Sequence, residues 1–222
     1  MKRLLLLGGG HAHVHVLKTL TETAPADVEV TLVSPYARQV YSGMLPGWIA
    51  GHYPIDACVI PLMPLCAKAG VRLVETAATG IDLATRVVHC ADGSEIGYDV
   101  VSIDTGPVAD MSMVPGAAEH AIAVRPIESF IESFRRIADD IAARAAAGRP
   151  GSIAFVGAGA AGIELALAMQ HAFRNPLLTV TLISAANTLP GSVGPRIARI
   201  MRQRGFCILS GQFAARIDAG SV

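Results

Sequence analysis

At 222 residues and 23.1 kDa, the chain is about one and a half domains long, at ~150 residues per domain. Apolar residues make up 52% and charged residues 16%, so the chain can bury a large core and is not disordered. Lysine plus arginine equals aspartate plus glutamate, 18 each, and a net charge of zero gives no support to a nucleic-acid or acidic-lipid binder.

The chain opens with Met1-Lys2-Arg3 and Leu4 to Leu7. The apolar run is too short for a signal peptide and ends in glycines, so it reads as a strand. Gly8-Gly9-Gly10 breaks it, His11 to Thr21 is helix-like, and Val28 to Val33 is a β-branched second strand. Val71 to Val74 is a further strand. Ile81 to Leu83, Val87 to Cys90 and Val100 to Ile103 read as a small antiparallel meander. Pro126 to Ala147 carries Ile127, Phe130, Ile131, Phe134, Ile137 and Ile141 at helical spacing, which predicts one long amphipathic helix. Gly148-Arg149-Pro150-Gly151 stops it.

A second copy of the opening pattern follows. Ile153 to Val156 is a strand, Gly157 to Gly162 a glycine turn, Ala160 to Phe173 a helix, and Leu178 to Ile183 a strand. Phe206 to Ile208 and Phe213 to Ile217 read as late strands. Strand, turn, helix and strand make a βαβ unit with parallel strands. The expected fold class is therefore α/β, with two Rossmann-like βαβ units and an antiparallel meander. Pro107 and Pro115 mark the boundary near Gly106 to Gly116, giving expected domains 1–108 and 109–222. No run of about 18 apolar residues predicts a membrane span, and the cytoplasm is the expected location.

A dinucleotide's pyrophosphate needs backbone N–H groups and a helix N-terminus with no Cβ in the way. Gly157-Ala158-Gly159-Ala160-Ala161-Gly162 matches GxGxxG in full, after a strand and opening a helix; a purely structural turn is the alternative. Gly8-Gly9-Gly10-His11-Ala12-His13 matches only the first two glycines, with His13 in the third place. The acidic residue expected at the end of each second strand is replaced by Ser34 and Ser184. A serine hydroxyl can still bond a ribose hydroxyl, less strongly than a carboxylate. No arginine directly follows Ser184 to meet a 2′-phosphate, which favours NADH over NADPH.

His11 and His15 could share a helix face, while His13 points elsewhere. Metal binding is therefore disfavoured against histidines beside a phosphate or packed on the sheet. The cysteines form no CxxC pair, and Cys58 and Cys66 read as core residues. Arg196, Arg199, Arg202 and Arg204 read as a solvated face, with anion or peripheral membrane contact the alternative.

Two glycine turns separated by Tyr98-Asp99-Val100-Val101-Ser102-Ile103-Asp104-Thr105-Gly106 resemble the two-dinucleotide flavoproteins. These include the pyridine nucleotide-disulfide oxidoreductases and type II NADH dehydrogenases. Their motif at this point is YDxLxxATG; here Asp104 replaces the alanine. Tyr41-Ser42-Gly43-Met44-Leu45-Pro46-Gly47 and the stretch Gly8 to Val14 look like a subgroup associated with selenide, water dikinase.

The resemblance implies the cofactors FAD and NAD(P)H. Hydride would pass from nicotinamide to flavin, and electrons to a quinone or another acceptor. Gly8, Gly9 and Gly10 would bind the FAD pyrophosphate, with His11 beside it and Ser34 and Pro35 near the adenosine ribose. Tyr41, Gly43 and Met44 would approach the flavin, and Thr105 and Gly106 would close over it. Gly157, Gly159 and Gly162 would bind the nicotinamide dinucleotide. Glu164, at the family's GxGxxGxE glutamate, is the candidate catalytic residue. Its alternative is a solvent-facing glutamate favoured by the helix dipole.

The chain lacks the CxxxxC pair of the disulfide reductases after the first unit, which argues against disulfide reduction by that route. It also has no Gly-Asp pair of the kind that closes the flavin domain in the family. The reading is an N-terminal portion of such a flavoprotein. The first unit is then expected to expose an apolar patch and an open sheet edge, favouring self-association, and the second to look nearly complete. A short-chain dehydrogenase would need Tyr-x-x-x-Lys, which none of Tyr36, Tyr41, Tyr53 and Tyr98 provides. A nucleotide-binding or regulatory module without turnover is the remaining alternative.

Overall fold

The computed structural model describes residues 1–222. In chain order its elements are β1 (Lys2–Leu7), α1 (His11–Leu20), β2 (Val28–Ser34), β3 (Arg38–Val40), α2 (Leu45–Ile49), β4 (Val59–Pro61), α3 (Leu62–Ala69) and β5 (Arg72–Glu75). There follow β6 (Ala78–Asp82), β7 (Val87–Cys90), β8 (Glu95–Gly97), β9 (Val100–Ile103), α4 (Ala117–His120) and α5 (Ile127–Ala146). The last are β10 (Gly151–Val156), α6 (Ala160–Phe173), β11 (Leu178–Ser184), α7 (Gly194–Gln203) and β12 (Cys207–Ser210). The chain divides into two compact units: Met1–Tyr41 with Val59–Pro107, and Ser42–Cys58 with Val108–Val222.

The first unit holds a four-stranded parallel sheet in the order β5-β2-β1-β9. Its strands read as continuous apolar runs because both faces are covered. Leu6, Val30 and Leu32 pack with Leu17 of α1 and with Leu62 and Cys66 of α3 on one face. Leu5, Leu7 and Val33 pack with Val88, Cys90 and Tyr98 on the other. That second cover is the antiparallel meander β6-β7-β8.

The second unit holds the parallel sheet β10-β11-β12. Val180 and Leu182 bury against Ile163 and Ala166 of α6 and Ala198 and Met201 of α7. The segment Ser42–Cys58 belongs here because α2 lies on α6, and Trp48 meets Phe134 of α5 edge-on at 4.9 Å between ring centroids.

Three details differ from the sequence expectations. Val100 to Ile103 is a strand, but it leaves the meander and pairs in parallel with β1; the meander's third strand is Glu95–Gly97. Phe213 to Ile217 forms no strand: Phe213 is exposed, and Ile217 is anchored by its N–H to the Pro115 carbonyl. The second unit is also less covered than expected. β10 is an edge strand on which Ser152, Ala154 and Val156 are exposed while Ile153 and Phe155 are half-buried.

Candidate functional site: two glycine turns and a pocket on α6

Each parallel sheet delivers its first strand into a glycine turn at the strand's carboxyl end, where a helix begins. In the second unit, Gly157 has φ +107°, a left-handed backbone that favours glycine. A Cβ on Gly162 would fall on the Gly157 carbonyl, so the last glycine lets helix and turn touch. A Cβ on Gly159 would meet nothing within 4 Å. Gly159 is the N-cap of α6, no side chain caps this helix, and its first turn carries no acidic residue. The positive end of the α6 dipole is therefore open for an anion.

The first turn is built differently. Gly8 has φ +88°, and a Cβ there would overlap the Asp104 main chain. Gly9 is crowded by Leu62, and a Cβ on Gly10 would overlap the Asp104 carboxylate. Asp104 directly follows β9 and donates its N–H to the Leu7 carbonyl at 2.7 Å. Its Oδ2 accepts from the N–H of Ala12 at 2.9 Å and of His13 at 3.2 Å. Its carbonyl accepts from the N–H of Gly10 at 3.2 Å. The residue that replaces the motif's alanine thus supplies a carboxylate to the first turn of α1.

His13 takes the third glycine's place and is buried, 1% exposed. Its Nδ1 lies 2.6 Å from the Gly8 carbonyl and its Nε2 2.9 Å from Ser102 Oγ. A carbonyl only accepts, so Nδ1 carries a proton; in the neutral ring Nε2 then accepts from Ser102. The imidazole ties the glycine turn to β9 where a glycine would have allowed direct contact.

The two serines expected beside the riboses use one device. Ser34 donates its hydroxyl to the Tyr36 carbonyl at 2.9 Å, and Ser184 to the Ala186 carbonyl at 3.1 Å. Both are buried at the ends of their strands, with their single proton engaged in a local turn.

Pro35, Thr105 and Gly106 are exposed. Exposed His11 meets Tyr41 edge-on, with ring centroids 4.9 Å apart. Gly43 and Ser42 line a pocket of about 190 Å³ with Pro46, Arg125, Ala161 and Glu164. Met44 lies beside it in the chain, and its carbonyl accepts the Tyr53 hydroxyl at 2.8 Å. Glu164 is exposed on the first turns of α6. Arg125, the pocket's cation, lies in no sequence motif that marks it.

Several other groups are accounted for by packing. Cys58 and Cys66 are buried core residues, and burial pushes both thiols up. Arg196, Arg199 and Arg202 are exposed on α7, and Arg204 directly follows it. A cavity of about 260 Å³ lined by Arg3, Glu29, Arg72 and Glu95 lies toward the start of the strands. Ligands of open α/β sheets bind at the strands' carboxyl ends, so the smaller pocket and the glycine turns are the better candidates. No helix is long and apolar enough to cross a membrane.

A family model described as pyridine nucleotide-disulphide oxidoreductase matches residues 2–218. The chain is 26% identical to the NADH dehydrogenase-like protein YutJ of Bacillus subtilis, over all of this chain and 61% of the relative. It is 29% identical to the probable ferredoxin reductase CtmF of Castellaniella defragrans, over 98% of this chain and 52% of that one. The structure of Plasmodium falciparum NDH2 in complex with NADH superposes with a TM-score of 0.81 at 15% identity, covering 98% of this chain and 49% of that one. The chain thus spans roughly half to three fifths of these proteins.

Proposed function

Because the chain belongs to the pyridine nucleotide-disulphide oxidoreductase family, we propose that it carries the dinucleotide-binding machinery of an FAD-dependent NAD(P)H oxidoreductase. The cofactors, when bound, would supply the redox chemistry of hydride transfer from nicotinamide to flavin, with electrons then available to a quinone or another acceptor. The chain's own residues bind and orient. The Gly157–Gly162 turn and the N-terminus of α6 receive the pyrophosphate of the nicotinamide dinucleotide. The pocket of Ser42, Gly43, Arg125 and Glu164 lies on the same helix and positions the reacting end. Gly8 to Gly10 and α1 form the FAD side, with His11 and Tyr41 at its mouth.

The observation that carries this reading is the uncapped N-terminus of α6, where the Cβ direction of Gly159 opens on empty space. An electron-carrier acceptor, a link to selenide, water dikinase and a cytoplasmic location belong to the same proposal, with the FAD role on Met1–Tyr41 and Val59–Pro107 and the nicotinamide role on Ser42–Cys58 and Val108–Val222.

Absorption spectroscopy of the purified protein, followed by anaerobic NADH titration, tests it. Bound flavin that bleaches on NADH addition is expected. A second reading, a nucleotide-binding module without turnover, is favoured by the Asp104 carboxylate on α1. That reading predicts a colourless protein that binds NADH but no flavin.

A further inference from the structure

The two glycine turns offer an anion opposite receptions. α6 presents an open N-terminus, whereas α1 meets the Asp104 carboxylate through the N–H groups of Ala12 and His13. A cofactor pyrophosphate at the first turn would need the same N–H groups and would meet a carboxylate already there. We infer that Asp104 is an internal competitor for the pyrophosphate, a residue that sets how tightly the first unit holds its dinucleotide. This rests on the reading of that unit as a dinucleotide site.

Three observations converge. The Cβ direction of Gly10, the second glycine of the turn, runs into the Asp104 carboxylate, so the side chain occupies the space that this glycine keeps open. The carboxylate bonds two consecutive N–H groups of the first helical turn, as a phosphate oxygen would. Asp104 is also fixed on both sides of its main chain, by Leu7 and by Gly10. Only the side chain is free to yield, and rotation about χ1 is the available response. In the absence of the dinucleotide the carboxylate caps α1. In its presence the carboxylate must leave the two N–H groups or repel the phosphates.

The test measures FAD affinity by flavin fluorescence on the wild type, Asp104→Asn and Asp104→Ala, with thermal melts of the flavin-free proteins alongside. Asparagine keeps the cap's shape and an accepting oxygen without the charge, so its fold is preserved. Both variants are expected to bind FAD at least about tenfold more tightly than the wild type. Flavin-free Asp104→Ala is expected to melt below the wild type, because α1 loses its cap. Equal or weaker FAD binding by Asp104→Asn overturns the inference and leaves the dinucleotide site standing. If no protein of the three binds FAD, the dinucleotide reading of the first unit falls, and the inference with it.

Discussion

At the residue scale, the glycines separate into those whose Cβ direction opens on free space and those that make room for the chain. Gly159 is of the first kind: its φ of −69° suits any residue, and its Cβ direction is open. Gly159→Val is therefore expected to fold normally by circular dichroism and to bind NADH at least about tenfold more weakly by calorimetry, since the side chain enters the pyrophosphate space. Unchanged affinity would remove the second turn from the list of dinucleotide sites. Gly162 is of the second kind, and Gly162→Ala is expected to cost about 1–3 kcal/mol in urea unfolding, because helix and turn must separate. Ser184 sets a third case. Its proton is held by the Ala186 carbonyl, so a ribose bound there would meet no charge; Ser184→Asp should raise the preference for NADH over NADPH about tenfold in binding titrations. The glycine turns and the two strand-end serines were legible as positions in the sequence because each lies within a short, contiguous motif. The role of Asp104 was not. Its substitution for alanine is visible, but its partners Ala12 and His13 lie far back in the chain, 92 and 91 positions away.

At the element scale, the strands that enter the sheets were readable wherever burial on both faces produced an unbroken apolar run. Leu4 to Leu7 is such a run because alternate leucines serve the helix layer and the meander layer. Periodicity does not name a strand's partner: Val100 to Ile103 follows the meander in the chain, yet it pairs with β1. Glu95–Gly97, at three residues, is too short for a pattern to develop. The junction into β9 also carries a titratable clasp. The Asp99 carboxylate accepts the Arg3 N–H at 2.7 Å, and this bond, with the Arg3 charge behind it, holds its carboxyl below the usual carboxylate range. A carboxyl lowered in the folded state stabilises the fold above its unfolded pKa and loses that contribution as pH falls through the folded value. The urea midpoint is thus expected to fall as pH drops below about 4. Asp99→Asn should flatten part of that dependence, leaving the parts due to Asp82, Asp92 and Asp110, each lowered by turn hydrogen bonds. An identical pH profile for Asp99→Asn would show that the clasp contributes nothing.

At the scale of the whole molecule, the repeated βαβ plan was legible because it is written twice in one chain. The exposure of each sheet's edge was not, since burial of an edge depends on what lies beside it. The first unit does not show the expected apolar patch, because helices cover one face of its sheet and the meander the other. It does show the expected open edge: β9 pairs only with β1, and Val100 is 57% exposed. The second unit shares that property, with β10 paired only to β11 and Val156 50% exposed. Unpaired N–H and C=O groups beside exposed β-branched side chains invite pairing with another chain. The 222-residue protein is therefore expected to self-associate as its concentration rises, read as a growing sedimentation coefficient. Lysine at a sheet edge opposes such pairing. The double variant Val100→Lys, Val156→Lys should sediment as a monomer over the same range. Because both side chains are largely exposed, its urea midpoint should move by no more than the equivalent of about 0.5 kcal/mol. Association unchanged in the double variant would move the contact elsewhere on the surface, and a wild type monomeric at every concentration would show that these edges are silent.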